Sequence, residues 1–172
     1  MRLICGVVQL DGTPADAITL ARMIAALSSP GLEPRVRQRV EGPASLAVLD
    51  FSNAAISETF SATLPVGTDG TWLAADVRLD RHPRTLNEAP VFAAFEEWGL
   101  DLPDHLDGDF ALAAWDPRQR RLRCARDIMG VRPLCYFYQP GKLFAFASLP
   151  RGLHASGVVA PRLDLVALAR RY

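Results

Sequence analysis

The chain has a single lysine, Lys142, and three cysteines, Cys5, Cys124 and Cys135, among 172 residues. An odd number of widely spaced cysteines argues against a disulfide framework and suits a reducing compartment, so a cytoplasmic protein is expected. Charge of one sign is missing as well. The 19 basic residues balance 19 acidic ones along the chain, which removes the electrostatic case for nucleic acid or an anionic membrane as partner. No apolar run approaches the ~20 residues that span a bilayer. Met1-Arg2-Leu3-Ile4-Cys5 lacks the longer apolar stretch and cleavage site of a signal peptide. His82, His105 and His154 lie too far apart for a paired-ligand metal site. A phosphate-cradling glycine-rich loop is absent too, so the chain alone is not expected to bind ATP.

What remains is the composition of one folded domain, with 49% apolar and 22% charged residues. Residues 3 to 10 form a short apolar run of buried-strand size. Thr13-Pro14-Ala15-Asp16 then reads as a helix start, with Thr13 as the capping hydroxyl and Ile18, Ala21, Ile24 and Leu27 on one face. Strands are expected over 35–40, 45–51 and 71–80. In the last of these Asp76, Arg78 and Asp80 share one face and Val77 and Leu79 the other. A helix is expected over 88–98, with Phe92 and Phe95 inward. Two hairpins follow, 109–116 with 121–126 and 133–138 with 143–148, and a helix over 164–172 closes the chain. Strands outnumber helices and do not alternate with them, which favours an α+β domain of packed antiparallel sheets over a doubly wound fold.

The segment from Leu106-Asp107-Gly108-Asp109-Phe110 through Trp115-Asp116 to Ala125-Arg126-Asp127-Ile128-Met129-Gly130-Val131-Arg132-Pro133 resembles the class II glutamine amidotransferase domain of asparagine synthetases. Phe144-Ala145-Phe146-Ala147-Ser148 resembles that family's next strand, Pro161-Arg162-Leu163-Asp164 the linker to its synthetase domain, and Cys5-Gly6 its nucleophile pair. The resemblance implies the four-layer α-β-β-α sandwich of the amino-terminal-nucleophile hydrolases. It divides the chain into an amidotransferase-like domain, 1–160, and the start of a connection to a synthetase domain, 161–172. ATP and magnesium are implied for the synthetase domain and no cofactor for this chain.

In that family an amino-terminal cysteine attacks the glutamine side-chain amide while its own α-amino group acts as base. Four residues precede Cys5, so its nitrogen is in a peptide bond, and Cys5 is catalytic only if processing exposes it. The plain alternative makes it a small apolar residue in a buried strand. The family's Asn-Gly-Glu, which supplies an oxyanion donor and holds the substrate, is missing around Asp76-Val77-Arg78. Its Ser-Asp is replaced near Leu86-Asn87, and Val48 to Ser52 offers Asp50 where a carboxylate-binding Arg is expected. Asp76-Val77-Arg78-Leu79-Asp80 is instead similar to the matching segment of β-lactam synthetases and lasso-peptide cyclases, which need no ammonia. Asp76 and Arg78 are thus candidate substrate-binding residues, or else a solvated strand face with ordinary ion pairs. Cys124 and Cys135 are read as packing residues, and Arg126-Asp127, Gly130 and Pro133 as structural.

The leading expectation is an amidotransferase-like domain without glutaminase activity, partnered by the synthetase domain of the same enzyme and acting on a precursor peptide in lasso macrolactam closure. Two others stay open. One is an active glutaminase with Cys5 as nucleophile, supplying ammonia for asparagine synthesis. The other is a stand-alone module that binds a peptide along the Asp76–Asp80 edge.

Overall fold

A computed structural model of the chain describes residues 2–29, 31–51, 64–79, 88–160 and 165–170. The expectations placed on Asp80, Leu86-Asn87 and Pro161 to Asp164 lie outside these residues.

The first strand, β1 (Arg2–Gln9), is the middle of a five-stranded antiparallel sheet. It lies between β3 (Ala44–Asp50) and β8 (Leu143–Ala147), with β2 (Arg35–Glu41) and β7 (Cys135–Gln139) on the two edges. β1 and β3 are apolar almost throughout, as strands covered on both faces are. The edge strand β2 carries Arg35, Arg37 and Arg39, charges that discourage further pairing. The second sheet is an antiparallel set of three, with β5 (Gly108–Asp116) between β4 (Trp72–Leu79) and β6 (Arg121–Arg126). The protein is therefore α+β with two antiparallel sheets.

Alternation along each strand sorts the apolar residues into three clusters. Leu3, Cys5 and Leu49 face Leu20, Met23 and Leu27 of helix α1 (Ala17–Leu27). Ile4, Leu46 and Phe146 face Trp72 and Trp115 across the gap between the sheets. On the outer face of the small sheet, Leu73 and Leu112 meet Phe95 of α2 (Glu88–Trp98) and Leu102 of α3 (Leu102–His105). Leu153 of α4 (Pro150–Ala155) joins the first cluster. The guanidinium of Arg39 lies 4.9 Å from the ring centre of Trp72, so the β2 edge is tied to the opposite sheet by a cation–π contact.

The start of α1 differs from the sequence expectation. Its N-cap is Asp16, whose carboxylate accepts from the Ile18 and Thr19 amides at 2.9 and 3.1 Å. Thr13 instead donates its amide and hydroxyl to Asp11 Oδ1 in a preceding turn. A carboxylate suits this position better, because it also complements the positive end of the helix dipole. The buried stripe is accordingly Leu20, Met23 and Leu27, and Ile18 is exposed. The closing helix α5 is short, Leu165–Ala169.

Candidate functional site

At one end of the gap between the sheets, β1 begins, β3 and β4 end, and the loop from β6 to β7 crosses from the small sheet to the large one. Arg2 and Ile4 alternate onto the gap face of β1, and Val48 and Asp50 onto that of β3. Trp72, Ala74, Asp76 and Arg78 do so on β4. Ion pairs among the described residues lie at this end. Arg2 Nε meets Asp50 Oδ2 at 3.3 Å, and Arg132 Nη1 meets Asp76 Oδ2 at 3.3 Å.

Asp76 is therefore not on a solvated face. It is 6% exposed, and burial raises its carboxyl above the ordinary carboxylate range against the opposing pull of Arg132. Arg78, two residues on, is exposed. Asp50 is buried beside Arg2. Its neighbour Arg37 is held below the usual arginine range by burial and then by the like charge of Arg2, with Asp50 acting in the other direction. Arg2, Arg37 and Val48 of the large sheet, with Pro65, Leu73, Ala75 and Val77, line a cavity of about 30 Å³. That is room for a water or two.

Cys5 is near this end but on the other side of the sheet. It is opposite Ala47 on β3 and Ala147 on β8, and its thiol lies in the apolar cluster beneath α1, fully buried. Burial pushes the thiol up to about 12. The preceding residue is held twice by Ser148, whose hydroxyl accepts from the Ile4 amide at 2.8 Å and whose amide donates to the Ile4 carbonyl at 2.8 Å. Cys5, Asp76 and Arg78 are thus not brought to one point. Of the other thiols, Cys124 is exposed, contrary to the packing role expected of it, and Cys135 is half-buried; all three are free.

Sequence reasoning missed Arg132 and Arg2 as the partners of Asp76 and Asp50. One signal was available, since Asp76 shares its strand face with Trp72 and Ala74, which are too apolar for a solvated surface. Asp127 holds the β6–β7 loop, as its structural reading implied. Its carboxylate accepts from the amides of Val131 at 2.8 Å, Arg132 at 2.9 Å and Phe110 at 3.3 Å. The cage therefore also sets the backbone from which Arg132 reaches Asp76. Among the described residues no three His, Cys, Asp or Glu side chains gather where they could hold a metal ion.

Residues 78–155 match the glutamine amidotransferase domain family. They contain the Asp127 cage, the hairpins and the strand beside β1. A glutamine-hydrolysing asparagine synthetase of Bacillus subtilis is 34% identical over 86 residues, covering 50% of this chain and 14% of that protein. A putative glutamine-hydrolysing asparagine synthetase of Methanocaldococcus jannaschii is 44% identical over 63 residues, 37% of this chain and 11% of its own length. An amidase of Penicillium rubens is 40% identical over 53 residues, 31% of this chain and 8% of its own. The amidotransferase region is thus related to the glutamine-hydrolysing domains of asparagine synthetases, and it spans a small part of much longer relatives. Among the described residues no helix is long and apolar enough to cross a membrane.

Proposed function

We propose that the chain is an amidotransferase-like domain that does not hydrolyse glutamine, and that it packs on an ATP-dependent, amide-forming synthetase domain of the asparagine synthetase type. The observation that carries this reading is the burial of Cys5. Burial pushes the thiol up to about 12, which keeps it protonated near neutrality, and the thiolate is the nucleophile. The nitrogen that would serve as base is in the peptide bond to Ile4, inside the central strand.

The surroundings support the same reading. The position where the family's Asn-Gly-Glu would stand holds Asp76, which is occupied by Arg132 rather than turned to a substrate. Asp50 occupies the region of the expected carboxylate-binding arginine and is neutralised by Arg2. Three apolar clusters separating helices, sheet, sheet and helices support the four-layer sandwich of the amino-terminal-nucleophile hydrolases. A domain without glutaminase suits a synthetase whose substrate already carries its amine. The segment from Asp76 to Asp80 points to macrolactam closure of a precursor peptide, as in lasso-peptide cyclases. ATP and magnesium would act in the synthetase domain.

The test is incubation of the purified chain with glutamine, with glutamate measured enzymatically and intact mass recorded beside it. We expect no glutamate above the no-enzyme blank and a chain that retains the residues before Cys5. Glutamate release by a species beginning at Cys5 would sink the proposal.

A further inference from the structure

We propose that the Arg132 side chain is a gate over Asp76: it swings on a backbone that stays fixed, and in its outward position the buried carboxylate opens to solvent at the end of the inter-sheet gap.

The backbone beneath the gate is tied down. The Asp127 carboxylate accepts from the Val131 and Arg132 amides at 2.8 and 2.9 Å, and the Asp127 carbonyl accepts from the Gly130 amide at 3.0 Å. Gly130 takes a left-handed backbone at φ +66°, as that turn requires. The Asp127 amide donates to the Phe110 carbonyl at 2.8 Å, which joins the turn to the middle strand of the small sheet. Two residues past Arg132, Leu134 packs into the cluster between the sheets. Movement at this point therefore belongs to the side chain, whose rotamer changes are far faster than the opening of a caged loop.

The contact that holds the gate inward is weak on both sides. The guanidinium reaches Asp76 through Nη1 at 3.3 Å, where a good charge-assisted bond is about 2.7–2.9 Å. Its Nε is buried and makes no hydrogen bond, a cost that the outward position removes by returning the group to water. On the other side, burial raises the Asp76 carboxyl in spite of Arg132, so desolvation outweighs the attraction between the two. A buried pair whose members are both imperfectly satisfied gains little over the same groups in solvent. Exposure assigns the roles. The Arg132 side chain is 22% exposed and that of Asp76 8%, so the arginine already borders solvent while the aspartate is covered. Asp76 is also held in place, paired opposite Ala111 on the middle strand. The arginine moves, and with it goes access to the one acidic side chain that β4 carries.

Carboxyl footprinting with a carbodiimide and glycine ethyl ester, mapped by mass spectrometry, tests the gate on the 172-residue chain across urea concentrations below its unfolding transition. Asp76 and Asp127 are equally buried, at 6% exposure each. Modification of Asp76 should be nearly independent of urea, because a side-chain swing exposes little surface, whereas that of Asp127 should rise with the unfolded fraction. Arg132→Ala removes the gate but keeps the amide that Asp127 holds. It should speed Asp76 modification by about tenfold or more and leave the urea dependence at Asp127 that of global unfolding. An Asp76 that follows urea as Asp127 does overturns the proposal, since the carboxylate is then reached only by unfolding. So does an Asp76 modified no faster in Arg132→Ala than in the parent. If that variant does not fold, the urea series on the parent chain decides alone.

Discussion

Replacing Gly6 with alanine separates two explanations of the Cys5-Gly6 pair. Gly6 has an ordinary strand conformation, so its backbone does not demand glycine. Space does. An alanine Cβ would lie 2.6 Å from the carbonyl oxygen of Ser45 and 2.7 Å from the ring atoms Cε1 and Cζ of Phe146. The oxygen belongs to β3, paired with β1 across the centre of the large sheet, and cannot retreat without loosening that ladder. Phe146 is fully buried between the sheets and has no free volume to rotate into. Overpacking of this kind costs about 1–3 kcal/mol. Alanine's lower unfolded-state entropy offsets about 0.4–1 kcal/mol of it. A net loss of about 1–2 kcal/mol in a chain of this size lowers Tm by about 2–8 °C. Urea and thermal unfolding can be followed by the fluorescence of Trp72 and Trp115, both buried. Adding Phe146→Leu, which removes two of the three contacts, should make the alanine less costly than it is alone. An alanine variant as stable as the parent would refute the steric account, and the glycine after Cys5 would then need a functional reason.

Cysteine reactivity should follow burial. Limited alkylation of the native chain, mapped by mass spectrometry, should label Cys5 only on unfolding, and Cys124, although exposed, should react slowly near neutrality because desolvation pushes its thiol up to about 12. The two caged carboxylates should respond oppositely to pH. Burial raises Asp76, so its folded pKa exceeds the unfolded one, and its contribution is largest below the unfolded value and declines as pH rises through the folded one. Asp76→Asn should therefore cost less at about pH 7 than at about pH 3.5 in urea titrations. For Asp127, burial alone would raise the carboxyl, but the amides of Arg132, Val131 and Phe110 outweigh it and the net shift is downward. Its stabilisation is present above the unfolded pKa and fades as pH falls through the folded one, so Asp127→Asn should cost about 1–3 kcal/mol near neutrality and less in acid. Leu27→Ala should cost about 2–5 kcal/mol, since that side chain is fully buried against β1 and α4.

Most of the strands were legible because alternation and turn residues are local signals. β6 and α2 fall on the expected bounds, and the other strands within a residue or two. The short helices α3 and α4 were not, because four or six residues carry less than two turns of periodicity and the N-cap of α4, Leu149, has no side-chain cap to offer. The α1 cap was misplaced because Thr13-Pro14 and Asp16 both satisfy a helix-start pattern, and only the hydrogen bond from Thr13 to Asp11 decides between them. The site was harder still. Alternation on β4 groups Asp76 with Arg78, but which face a second sheet covers depends on Arg132, 56 residues away, and on packing that no local window contains.

The double hold of Ser148 on Ile4 bears on how such a domain can change over evolutionary time. The Ile4–Cys5 peptide bond lies in the middle strand of five, and cutting it would release Leu3 and Ile4, two core side chains, along with the rungs they form. A maturation protease could reach that bond only in a molecule already opened through its centre. Exposing the nitrogen of Cys5 is therefore not a small step by point substitution. It would require a first strand that begins at Cys5 and a core refilled where Leu3 and Ile4 now stand.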